Sequence, residues 1–149
     1  MADFLRPATA PSPELLALQA GLRPWAWGRD DCTLWLAPYV AAVSGRDVAA
    51  PYLGAYDDEA GAQRILAAAG GLTGLLGRIL PGAGMVALPE AEARQGDIGV
   101  VPALLRGDDG SYRRGEVTAY CQGGPRWLIR TGSGIASVRA RPIAVWGWR

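Results

Sequence analysis

The feature that most constrains the fold is a change of texture near residue 85. Before it, apolar residues recur at helical spacing between capping signals; after it, short runs of β-forming residues alternate with turn residues. Ser12-Pro13-Glu14 has the form of a helix start, with a hydroxyl cap, proline at the first helical position and an acid in the first turn. Leu15, Leu16, Leu18 and Leu22 give that helix an apolar face, and Arg23-Pro24 stops it. The spacing predicts a second helix from Asp31 to about Val43, capped by Asp30, ended by Ser44-Gly45, and kinked or broken early at Pro38. A third helix is expected to begin near Asp57-Asp58-Glu59 and finish at Gly70-Gly71, and a short fourth to run from a Thr73 cap to Leu80. The later part predicts strands over Ile98–Val101, Glu116–Cys121, Arg126–Thr131 and Ile143–Trp148, with hairpin turns at Gly107-Asp108-Asp109-Gly110 and Gly123-Gly124-Pro125. Helices first and an antiparallel sheet afterwards is the α+β pattern. The chain is expected to form a single domain over residues 1–149, with 1–12 as an extended N-terminal lead-in.

Composition narrows the function classes. Half of the residues are hydrophobic, enough for a sizeable core, yet no apolar run approaches the roughly 20 residues that span a bilayer. No membrane insertion is expected, and the first six residues lack the basic start and apolar stretch of a signal peptide. Net charge is +1 with acids and bases interspersed, which argues against a nucleic-acid partner, since that needs a concentrated basic surface. All 15 basic residues are arginine, which with the Ala and Gly usage suggests a GC-rich genome. Cys32 and Cys121 are a poor disulfide framework and, in a chain with no histidine, a poor zinc site, so neither metal nor cofactor is expected. Cys121 reads as core filler, and Asp108-Asp109 as a solvated turn. Trp127, Trp146 and Trp148 read as core or interface rings, with a carbohydrate-stacking or partner surface as the alternative.

The stretch that carries chemistry runs from Trp25 to Trp35. It sets the Cys32 thiol in the first turn of the predicted helix, where unpaired N–H groups and the helix dipole favour thiolate and could stabilise an oxyanion. Asp30 and Asp31 stand beside the sulfur and act in the opposite direction. The structural alternative is a small buried cysteine packed under the tryptophans. Trp25 and Trp27 flank Cys32 and suit the wall of a groove for a glycan-peptide or a protein loop, with Asp31 as a further groove residue.

Trp27-Gly28-Arg29-Asp30-Asp31-Cys32, followed by an apolar helix, resembles the signature of NlpC-type cell-wall cysteine peptidases. That resemblance implies a papain-like fold, with Cys32 as nucleophile opening the helix that packs on the sheet. Gly96-Asp97-Ile98 resembles the family's step into its first core strand, and Glu116–Tyr120 its histidine-bearing strand. It puts Glu116 where histidine is expected and the third polar position near Arg130 or Thr131. Small phage proteins related to these peptidases are more similar still. They share Pro24…Trp27-Gly28-Arg29-x-Asp31-Cys32, then Gly45, Tyr56…Glu59-Ala60, Gly70-Gly71-Leu72 and Ala144-Val145-Trp146. The chain departs from the catalytic pattern in having no histidine. A carboxylate near its ordinary pKa of about 4.3 is a feeble base for a thiol near 8.5. The expectation is therefore a catalytically impaired NlpC-like component of a phage or phage-like tail tip or baseplate. It would be made in the host cytoplasm, carried in the virion, and partnered by tail or hub proteins, with peptidoglycan as a further ligand. The alternatives are an active peptidoglycan-degrading peptidase using Cys32 with an unconventional or partner-supplied base, and a non-catalytic α+β protein-binding module.

Overall fold

A computed structural model describes residues 12–149; apart from Ser12, the lead-in expected over 1–12 lies outside the described residues. Four α-helices, α1 (Pro13–Gly21), α2 (Ala37–Ser44), α3 (Glu59–Ala69) and α4 (Gly71–Ile79), precede the sheet. The strands are β1 (Val86–Leu88), β2 (Ile98–Arg106), β3 (Tyr112–Gly123), β4 (Arg126–Thr131), β5 (Gly134–Arg139) and β6 (Ala144–Gly147). All pair antiparallel, in the order β1-β6-β2-β3-β4-β5. The fold is α+β, helices first.

Several helix limits follow from local chemistry. Ser12 Oγ accepts from the Leu15 N–H at 3.2 Å, with Pro13 in the first turn of α1. Asp58 caps α3 by accepting from the Gly61 N–H at 2.7 Å, and Gly70 ends it at φ 82°, a conformation that glycine adopts without penalty.

The second helix differs from the sequence expectation. Residues 31–36 form tight turns, and α2 starts only at Ala37. Pro38 has no N–H to give the Leu34 carbonyl, and its ring would collide with that oxygen in a continuous helix. The Leu34 carbonyl accepts instead from the Ala37 N–H at 2.9 Å, and Pro38 falls within the first turn of the shortened helix. The fourth helix also begins earlier than expected, directly from Gly70, so Thr73 lies inside it and caps nothing.

The sheet has two buried faces because side chains alternate along each strand. Ile98, Val100, Tyr120, Leu128 and Trp146 pack with Trp35, Leu36, Tyr39, Leu72 and Leu76 of the helical layer. Val101, Val117, Ala119, Cys121, Trp127 and Val145 form the core on the other face. Trp127 crosses that second core toward Gly99 of β2, where a Cβ would stand 2.6 Å from its ring. Cys121 is fully buried there, as its reading as core filler requires. Trp146 is in the first core, and Trp148 donates its indole N–H to the Ala83 carbonyl at 2.8 Å.

Two strands, β1 and β5, have no counterpart in the sequence reading, and β2 and β3 run past the expected segments. Their ladder extends to Arg106↔Tyr112, making a long hairpin whose tip is the expected 107–110 turn. In that turn Asp109 accepts from the Ser111 N–H at 2.9 Å, a local bond that accounts for the acid without a ligand.

Candidate functional site

The Trp-Gly-x-x-Asp-Cys segment builds a loop before it builds any chemistry. Ala26 and Asp30 exchange backbone hydrogen bonds, of 3.3 Å and 2.9 Å, closing a tight turn around Gly28. Gly28 sits at φ 82° and its N–H reaches Asp31 Oδ2 at 2.9 Å; a side chain there would strike the Tyr56 carbonyl. Its carbonyl accepts from the Gly54 N–H at 2.9 Å, so glycine is required by both conformation and close approach.

Asp31, not Asp30, is the capping acid. Its carboxylate is fully buried and accepts four hydrogen bonds, from the N–H groups of Gly28, Thr33 and Leu34 at 2.9 Å each and from the Tyr56 hydroxyl at 2.6 Å. The Thr33 and Leu34 N–H groups beside the thiol are thus occupied by the Asp31 carboxylate.

Cys32 follows Asp31 in this turn and is tied to β3 through its backbone. The Thr118 N–H donates to the Cys32 carbonyl at 3.0 Å, Thr118 Oγ1 donates to the Thr33 carbonyl at 2.7 Å, and the Trp35 indole donates to the Thr118 carbonyl at 2.9 Å. The thiol opens partly onto a groove, yet burial and then the Asp31 charge push its pKa up to about 12. Thr33 and the Arg113 guanidinium pull weakly the other way. At neutral pH the sulfur is a protonated thiol.

The groove has a volume of about 810 Å³ and brings Trp25, Trp27, Cys32, Glu116 and Arg130 together, whereas Asp31, expected beside them, is buried behind it and does not line it. Trp25 and Trp27 form one wall, packed edge to face with ring centroids 5.2 Å apart. Glu116 lies on the solvated stretch of β3 and lines the same groove. Thr118, two residues further along, is the residue that grips the cysteine turn. Arg130 is buried opposite Trp25, its guanidinium carbon 5.7 Å from that ring's centroid.

The opposite wall is the β2–β3 hairpin, whose turn is expected from sequence but whose length and place in the groove are not. Glu59, at the start of α3, accepts from the Asp108 N–H at 2.8 Å, while Asp108 accepts from the Glu59 N–H at 3.3 Å. Arg113 adds an ion pair to Glu59 at 3.4 Å. This latch spans 49 positions of sequence. The only signal for it is the exposed, mixed polar and apolar alternation along 102–116, too long for a simple turn. Among the described residues no group of three or more His, Cys, Asp or Glu side chains converges as a metal site, and no single helix is long and apolar enough to cross a membrane.

One family model, described as a domain of unknown function, matches residues 14–149. No curated protein matches the chain, and no solved structure does.

Proposed function

The chain belongs to the DUF6950 family, a domain of unknown function, and from that premise we propose that it is a non-catalytic, NlpC-like component of a phage or phage-like tail tip or baseplate, whose groove binds and does not cut. The observation that carries this reading is the setting of Cys32. Its thiol is held protonated by burial and by Asp31, the Thr33 and Leu34 N–H groups beside it are already bonded to that carboxylate, and the sequence holds no histidine. A cysteine peptidase needs the reverse on each count: a thiolate, free donors for the oxyanion, and a base with pKa near neutrality. The tail context rests on the resemblance of the Trp27-Gly28…Asp31-Cys32 and later segments to small phage proteins.

The test has two parts. Clearing of purified peptidoglycan is compared between the native protein and Cys32→Ala, with no clearing expected from either. Loss of turbidity that depends on Cys32 would overturn the non-catalytic reading. Purified particles are then examined for the protein at fixed stoichiometry; its absence from them would overturn the tail assignment. A second reading, hydrolysis with a base supplied by a partner subunit, draws on the opening of Cys32 onto the groove. It predicts clearing only when the partner is present.

A further inference from the structure

Loss of catalysis does not explain why a buried cation lines the groove. Arg130 is only 4% exposed, and no carboxylate among the described residues lies within salt-bridge distance of it. A guanidinium carries five N–H donors in a fixed plane. Nε donates to the Thr131 carbonyl at 3.0 Å, and Nη1 to the carbonyls of Gly21 at 3.0 Å and Arg23 at 2.6 Å. These Nη1 bonds serve the C-terminal end of α1, which has no basic residue in its own last turn. Both donors on Nη2 remain without a partner among the described residues. Nη2 is not fully sealed from solvent, and Arg130 is among the residues that line the groove.

The two free donors are therefore a rigid prong: the guanidinium is fixed on one side by three carbonyls and lies over the Trp25 ring. A desolvated charge of this kind favours an anionic partner, and a single Nη2 N–H offers one charge-assisted hydrogen bond to a carboxylate oxygen. Ser133, Ile135 and Ala136, on and beside β5, line the same groove. β5 is the last strand of the sheet, with ladder partners on the β4 side alone, so an extended chain has backbone groups to run along.

Resting on the reading of the groove as a binding site, we propose that its ligand is an extended peptide segment whose carboxylate sits on Arg130 Nη2 beside Trp25. A chain terminus and an acidic side chain offer the same chemistry, and the probes separate them.

The experiment titrates the full chain, labelled with nitrogen-15, while the Arg130 Nε and the Trp25 and Trp27 indole resonances are followed. Three probes are used: acetyl-Ala-Ala-Ala with a free carboxylate, the same peptide as its amide, and acetyl-Ala-Glu-Ala amide. A free acid, terminal or on Glu, is expected to shift Arg130 and Trp25 and to bind about tenfold more tightly than the neutral amide, with the advantage shrinking as salt is raised. Preference for the terminal acid identifies a chain end; preference for the Glu peptide identifies an acidic side chain. Arg130→Lys keeps the cation but loses the prong, and is expected to abolish most of the preference while the Thr118 amide resonance stays in place. Equal binding of acid and amide would overturn carboxylate recognition and leave the groove reading intact. No shift at Arg130 or the tryptophans with any probe would overturn both.

Discussion

The residue with the most consequences is Asp31. It is a buried carboxylate satisfied by three backbone N–H groups and one hydroxyl, with no cation within salt-bridge distance among the described residues. Asp31→Ala would strand all four donors, so a loss of about 3–5 kcal/mol is expected by urea denaturation. Asp31→Asn keeps one acceptor oxygen and should cost less, about 1–3 kcal/mol. A change within experimental error for Asp31→Ala would remove the residue from the framework of the loop. The same carboxylate sets the chemistry of its neighbour. Because burial and Asp31 push the Cys32 thiol up to about 12, its rate of alkylation by iodoacetamide should still be climbing well above pH 9. Removing the neighbouring charge in Asp31→Asn should move the profile to lower pH. A plateau near 8.5 in the native protein, where an unperturbed thiol titrates, would contradict this account of the site.

Elements were legible from sequence where their limits are set within a few residues. Ser12, Asp58 and Gly70 mark helix ends by bonds or conformations that are local, and the glycine-rich turns at 107–110 and 123–125 join strands as their composition requires. Legibility failed where a rule acted against the apolar spacing. The Asp31–Leu36 segment has helical periodicity, but Pro38 and the Asp31 carboxylate divert its hydrogen bonds into turns. β1 has only three residues, and β5, Gly-Ile-Ala-Ser-Val-Arg, is half small residues with weak strand preference, so each exists through its neighbours. The site divides in the same way. The cysteine loop is a local motif, whereas its grip on Thr118 and the latch from Glu59 to Asp108 and Arg113 depend on the fold. That latch is testable as an element. Glu59→Ala removes the acceptor for the Asp108 N–H and an ion pair whose arginine is half exposed, so global stability should fall by only about 0.5–1.5 kcal/mol. Amide exchange should nevertheless quicken across 103–115 and stay unchanged in β4, because the hairpin beyond Val117 has little buried surface to hold it. Unchanged exchange in the hairpin would mean that the strand ladder alone positions this wall.

At the scale of the whole molecule, several buried weak acids are held in their neutral form. The Tyr39 hydroxyl donates to the Gly96 carbonyl at 2.7 Å, Tyr56 donates to Asp31, and the hydroxyl of fully buried Tyr120 has no partner among the described residues. Burial raises all three phenols, Tyr120 to about 12, with the Asp31 charge adding to the effect on Tyr56 and Tyr120 on that at Tyr39. Cys32 behaves alike. Each of these groups keeps its proton in the folded chain at a pH where the unfolded chain has lost it. Thiols ionise near 8.5 and phenols near 10 once exposed. Their contribution to stability is therefore complete below about pH 8.5 and is lost progressively as pH rises toward 12, since the unfolded state then binds fewer protons than the native state. The arginines, the only basic side chains in the sequence, remain charged across this range and cannot produce the slope. The urea midpoint should thus be flat between about pH 6 and 8 and fall steeply between about 9 and 12. Tyr56→Phe should lower the plateau, by removing a bond to Asp31, and make the alkaline fall shallower, by removing one titrating group. A midpoint that holds constant to pH 11 in the native protein would mean that these hydroxyls and the thiol ionise without weakening the fold, and would overturn this account of the alkaline slope.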